Sequence, residues 1–244
     1  MIQEYIKTIR RFSLNYGYAL NTQLEENCPT FKSENSINII NKSRGIEFVL
    51  YNKDQATIDQ KYPDEIQNYY TDTLRMELRC NRKFIKKKSK ELKNLDVFNL
   101  LIYFYISMES IVKDIFYRFF SHGYDSCFLS DSRLKKEIKK KYDSKENKQN
   151  KMLKLVNCLH RHPDKRLDDA LTKLFPSKKS QATIMNAFHK IQLSPIAIQS
   201  TDIPYMQSIE SLLEFKNPST NDIKNFDMIR FCSRGKDVFL NRKK

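Results

Sequence analysis

An α+β fold is what this sequence predicts: a small antiparallel sheet near the N-terminus, followed by a mainly α-helical C-terminal domain. Three observations predict it. Two β-rich runs, "SINIIN" at 36–41 and "GIEFVLY" at 45–51, are joined by "KSRG", where Gly45 tolerates a positive φ, so the pair reads as a hairpin. "TLRMELRC" at 73–80 alternates without interruption, with Leu74, Met76, Leu78 and Cys80 on one face and Arg75, Glu77 and Arg79 on the other. From about residue 85 the apolar period changes to 3.6. The chain therefore divides into an α+β region, 1–93, and a helical region, 94–244.

The elements follow in order. Ile6, Ile9, Phe12 and Leu14 recur at helical spacing among basic residues, so a short amphipathic helix over 3–14 begins the chain. After the hairpin, "KDQATIDQKYPDEIQNYY" is polar and helix-compatible but broken at Pro63. Beyond the third strand, "KKKSKELKNL" and one long apolar helix to Phe120 lead to a turn at "SHGYDS". Ser130 or Asp131 caps a helix through "RLKKEIKKKY", and "DSKENKQNK" at 143–151 reads as a solvated linker or loop. Further helices are expected in "MLKLVNCLH", "RLDDALTKLF" and "SQATIMNAFHKIQL", the last stopped by Pro195. No internal repeat is visible.

Composition narrows the function classes. With 44 Lys+Arg against 29 Asp+Glu the net charge is +15, a field that favours polyanionic partners, above all nucleic acid. Cys28, Cys80, Cys127, Cys158 and Cys232 show neither CxxC nor finger spacing, and read as thiols in a reducing compartment. The N-terminus has no signal-peptide core, and Asn99, Glu109, Lys113 and Asp114 interrupt the apolar 97–120 stretch, which reads as a core helix. A cytoplasmic protein with no membrane partner is expected.

Chemistry concentrates on the charged strand face. If the 74–80 strand pairs with the 45–51 strand, Glu47, Val49 and Tyr51 lie beside Arg75, Glu77 and Arg79, with Lys53 just beyond. Phosphodiester transfer to tyrosine needs such groups: a phenol to attack phosphorus, a cation or metal to offset developing charge, carboxylates to hold the metal, and arginines to grip flanking phosphates. The same residues also read as the solvated face of an antiparallel sheet with Tyr51 as a packing residue, and a one-residue slip would separate Tyr51 from Glu77.

The segments "FVLYNKDQ" and "TLRMELRCNRKFIKK" resemble the gene II/X family of phage and plasmid rolling-circle replication initiators. In that family a strand ends in the catalytic tyrosine with a lysine two residues later, matched by Tyr51 and Lys53, and an Arg-x-Glu-x-Arg strand follows, matched by Arg75, Glu77 and Arg79. "MIQEYIKTIRRF" is similar to the helix before the family's tyrosine hairpin, and the stretch from Ser180 to Leu213 is similar to the tail of Firmicutes-type members.

The resemblance implies origin-specific DNA nicking. Tyr51 would be the nucleophile, Lys53 would stabilise phosphate charge, Glu77 would support Mg²⁺ or Mn²⁺ together with Glu47, and Arg75 and Arg79 would position the strand. It further implies origin DNA as partner, with host helicase and polymerase following. Family members often carry an acidic residue five positions after the tyrosine, where this chain has Ala56, and they carry a β-rich stretch before the point where this chain begins. Residues 1–93 are thus expected to be a partial nuclease domain, and 94–244 a DNA-binding domain.

Histidine placement gives no support for a His-hydrophobic-His metal strand: His122, His160, His162 and His189 all fall in the helical region, and "LHRHPD" reads as a surface feature. Basic residues Arg82, Lys83, Lys86, Lys87 and Lys88, and the 133–142 cluster, are candidates for phosphate neutralisation. Two short helices around Pro176 are compatible with helix-turn-helix geometry. Two alternatives stand beside the initiator: a non-catalytic DNA-binding remnant or regulator, and a basic RNA-binding protein.

Overall fold

The computed structural model describes residues 2–21, 35–120, 125–200 and 202–212. Helix α1 (Ile2–Arg10) precedes a four-stranded antiparallel sheet of order β1-β2-β3-β4, formed by β1 (Ala19–Leu20), β2 (Ser36–Asn41), β3 (Ile46–Asn52) and β4 (Leu74–Cys80). Two short helices, α2 (Lys53–Asp59) and α3 (Asp64–Tyr69), connect β3 to β4. The class is α+β, as the hydrophobic patterns predict.

The hairpin register pairs Asn41 with Ile46 and Ser36 with Tyr51. Gly45 closes its turn at φ 70°, in the left-handed region, and a Cβ there would collide with the side-chain amide of Asn81. Asn81 is itself committed: its Oδ1 accepts the backbone N–H groups of Lys83 and Phe84 and so caps helix α4 (Arg82–Glu91). One contact thus ties the hairpin turn to the end of β4 and the start of α4.

The helical region continues with α5 (Val97–Ile106), α6 (Met108–Phe119), α7 (Asp131–Lys141), α8 (Glu146–Arg161), α9 (Leu167–Leu174), α10 (Lys178–Lys190) and α11 (Ile209–Leu212). A two-residue ribbon of β5 (Phe128–Leu129) and β6 (Tyr205–Met206) had no signal in the sequence, being too short to show a period. Ser130 occupies the N-cap of α7, and the Asp131 carboxylate pairs with Lys135 at 2.7 Å.

Three expectations are corrected. The loop expected over 143–151 is confined to 143–145: α8 begins at Glu146, because Lys, Glu and Gln are good helix formers and Met152, Leu155, Val156 and Leu159 bury one face of the helix. The single long helix to Phe120 is two, meeting at Ser107 with φ −96° and ψ 9°. Nor is its first half a core helix. In α5 only Leu100 is fully buried, while Val97, Phe98, Leu101 and Ile106 are exposed, since apolar character permits burial without requiring it. No helix among the described residues is long and apolar enough to cross a membrane.

One buried cluster runs through both regions. Ile37, Ile39, Phe48 and Leu50 from the sheet meet Ile6, Ile9 and Phe12 of the N-terminal segment, and the cluster continues through Phe119 and Phe120 to Leu134, Ile138 and Leu155. Ring centroids lie 5.1 Å apart for Phe48–Phe119 and 5.3 Å for Phe12–Phe120. Cys80, Cys127 and Cys158 are half-buried free thiols, and burial pushes the Cys80 thiol up to about 11. Cys28, Cys232, His122 and most of the "SHGYDS" turn lie outside the described residues.

Candidate functional site

The β3–β4 register pairs Glu47 with Arg79, Val49 with Glu77 and Tyr51 with Arg75. All six therefore share one sheet face, the arrangement that alternation predicts for these two strands. On the same face β2 contributes Ser36 and Asn38, opposite Tyr51 and Val49.

Glu77 is the hub. The Tyr51 hydroxyl donates to Glu77 Oε1 at 2.9 Å, and Arg75 Nε reaches the same oxygen at 2.9 Å. The other oxygen, Oε2, accepts from Arg79 Nε at 3.1 Å and Nη2 at 2.9 Å, a two-pronged guanidinium contact. Arg79 also lies 3.7 Å from Glu47, which in turn accepts from Asn38 Nδ2 at 2.7 Å. A phenol, two carboxylates and two guanidiniums thus form one connected network.

Electrostatics follows from that wiring. Burial, then the hydrogen bond and negative charge of Glu77, push the Tyr51 phenol up to about 12 against the opposing pull of Arg75 and Arg79. For Glu77, burial acts to raise the carboxyl, but hydrogen bonds from Arg79 and Tyr51 and the two guanidinium charges outweigh it and hold the group below its ordinary value. At neutral pH the pair is a protonated phenol on an ionised carboxylate.

Tyr51 is 6% exposed, and helix α2 is the reason. Asn52 ends the strand and caps the helix, accepting the Gln55 N–H at 3.3 Å, so the chain turns back at once over its own strand. Ala56 packs with Val49 and Tyr51 in a small apolar cluster separate from the main core. The position where an acidic residue is common in the resembled family is therefore a buried apolar contact here. By contrast Arg75 and Arg79 keep 45% and 41% of their side-chain surface exposed.

The remaining predicted residues fall in three places. Lys53, the first residue of α2, holds its ammonium over the rings of Tyr62 and Tyr70, 5.6 and 5.1 Å from their centroids, a cation–π seat built by the turns that follow α2 and α3. Arg82, Lys83, Lys86 and Lys87 are exposed on α4, whereas Lys88 is half-buried; Lys87 and Lys88 reach Glu91 at 4.0 and 3.0 Å. His160 and His162 sit at the end of α8, exposed, with His160 Nδ1 3.8 Å from Asp131.

Glu47 and Glu77 as arranged are a poor metal site. Each is engaged by Arg79, and among the described residues no three His, Cys, Asp or Glu side chains come together to hold a cation. Two participants escaped sequence reasoning. Asn38, fully buried, orients Glu47, and Ala56 roofs the tyrosine. The parity of the hairpin register would have put Asn38 on this face, but Ala56 carries no polar signal.

No protein-family model, curated protein or solved structure matches the chain.

Proposed function

We propose that the protein is a rolling-circle replication initiator of the phage/plasmid gene II/X type, which nicks origin DNA through Tyr51. One observation carries the reading: the Tyr51 hydroxyl donates to Glu77 at 2.9 Å between two half-exposed arginines on one sheet face. The match of Tyr51, Lys53 and the Arg-x-Glu-x-Arg strand to the family pattern and the net charge of +15 support it.

In this reading a DNA phosphate competes with Glu77 for Arg75 and Arg79. Relieved of its guanidinium partners, Glu77 becomes more basic and accepts the phenolic proton as Tyr51 attacks phosphorus. The Tyr51 Oη–P bond forms, the P–O3′ bond breaks, and the 3′ oxygen leaves as a hydroxyl with a proton from solvent. The product is a 5′-phosphotyrosine link and a primer end. Arg75 and Arg79 balance negative charge on the phosphoryl oxygens, the basic face of α4 holds flanking phosphates, and in the cytoplasm host helicase unwinds the duplex while host polymerase extends the end. The two arginine-bound carboxylates do not suit Mg²⁺ or Mn²⁺.

A second reading, a non-cutting origin-binding protein, is favoured by the burial of Tyr51 and a phenol held at about 12. Supercoiled origin DNA incubated with protein and Mg²⁺ or Mn²⁺ separates the two. Nicking with a protein–DNA adduct that Tyr51→Phe abolishes is the expected result. Salt-sensitive binding without adduct would leave the binding protein standing.

A further inference from the structure

A second polyanion-compatible feature lies where the end of α1 meets the turn after α8. A cleft of about 520 Å³ is lined there by Lys7, Arg10, Arg11 and Arg166, with Asp164 as the one carboxylate among its lining residues. It shares no residue with the tyrosine site.

Arg11 is the unusual member. It is 5% exposed, and its Nε and Nη2 donate to the carbonyl oxygens of Lys165 and His162, both at 3.3 Å, and of Leu159. Those carbonyls belong to the last turn of α8 and the residues after it, where a cation is favoured by the negative end of the helix. The Arg11 backbone carbonyl also accepts the Leu167 N–H at 2.8 Å, so the turn is held at two points. Yet Arg11 Nη1 is buried with no hydrogen-bond partner among the described residues. A buried charged donor without an acceptor is costly, and it stands in a lining of four cations to one carboxylate. Glu4, the other carboxylate acting on Arg11, is engaged by the backbone N–H groups of Gln199 and Ser200 at 2.6 and 3.3 Å.

We propose that this cleft binds a phosphate group, held by Arg11 together with Arg10, Arg166 and Lys7. Guanidinium groups match phosphate oxygens in paired geometry, and Lys7, exposed at the rim, adds a point charge. The phosphate comes either from a polynucleotide backbone or from a free ligand such as inorganic phosphate. The site stands whether or not Tyr51 cuts DNA.

The test uses the full chain and the double variant Lys7→Gln/Arg166→Gln, read by fluorescence anisotropy with a short single-stranded oligonucleotide across a salt series, and by thermal shift with inorganic phosphate. A backbone source predicts that the variant binds the oligonucleotide about 3- to 10-fold more weakly, with a salt slope flatter by about 1 to 2. A free-ligand source predicts that inorganic phosphate raises the wild-type midpoint and not the variant's, with oligonucleotide binding unchanged. Indistinguishable behaviour of the two proteins toward both probes overturns the proposal. Because Arg166 also touches Phe12 and Asp168, Lys7→Arg/Arg166→Lys must restore binding, and Lys7→Gln alone must show the same trend if the double variant is unstable.

Discussion

The two faces of the one sheet differ in everything but their strands. On one, Ile37, Ile39, Phe48 and Leu50 are closed against α1, Phe119 and Phe120; on the other, alternate residues of the same strands build a hydrogen-bonded network of Tyr51, Glu77, Glu47, Arg75 and Arg79. The core face is stabilised by apolar burial, which involves no titrating group and no ion pair that salt could screen. Its opposite holds charges that cancel one another and can be drawn apart by a competing anion. Stability and chemistry are thus separated by a single residue along the chain, which makes substitutions at adjacent positions a sharp comparison.

Phe48→Ala is the largest test of that separation. Removing a ring that is 3% exposed, tilted against Phe119 and edge-on to Phe120 should cost about 3–5 kcal/mol in denaturant unfolding. A cost below about 1 kcal/mol would mean that the core face is not closed.

Gly45→Ala comes next, because it tests what holds the two faces in register. A Cβ at φ 70° is strained and also meets Asn81, so a loss of about 1–3 kcal/mol is expected. Asn81→Ala removes the obstacle and the α4 cap together; if the Gly45→Ala penalty shrinks in that background, the collision rather than the φ accounts for most of it.

These effects also show what was legible in the sequence. Strands 36–41, 45–51 and 73–80 announced themselves because a period of two is complete within six residues, but their pairing and register stayed open to a one-residue slip until the structure put Tyr51 and Glu77 on one face. The helix over "MLKLVNCLH" was legible, but the first six residues of α8 were hidden because the polar run 146–151 has no apolar stripe of its own and takes its direction from Met152 onward. The cover over Tyr51 was hidden for a related reason: Ala56 is small and neutral, and only the reversal of the chain at Asn52 reveals what it touches. Lys53 could be read as a cation beside the tyrosine, but its aromatic seat needs Tyr62 and Tyr70, which stand on either side of Pro63.

On the network face, Arg75→Gln should change stability by less than about 1 kcal/mol, since the pair is half-exposed and Glu77 keeps Arg79. DNA binding should nevertheless weaken, with the salt slope flatter by about 0.7–0.9 as one phosphate contact is lost. An unchanged slope would remove Arg75 from the proposed DNA path.

Glu77→Gln is best read through Tyr51. Burial first and the Glu77 carboxylate second raise the phenol's pKa, so the amide should let it fall part of the way from about 12 toward the ordinary value of 10, measured by difference absorbance of tyrosinate against Tyr51→Phe. The sign carries into stability. Between pH 10 and 12 the unfolded chain has released the Tyr51 proton while the folded chain retains it, so folding weakens as pH rises through this window. The full displacement is worth on the order of 2–3 kcal/mol. Tyr51→Phe should remove that component of the alkaline slope, and Glu77→Gln should narrow it. Glu77 itself acts at the other end: its lowered carboxyl contributes stability that is present above the ordinary carboxylate range and lost as pH falls through the folded value. An alkaline slope identical in the wild type and Tyr51→Phe would mean that folding does not hold the phenol protonated; a slope identical in the wild type and Glu77→Gln would mean that Glu77 does not hold it, and the acid–base pairing on which the proposed nicking depends would be gone.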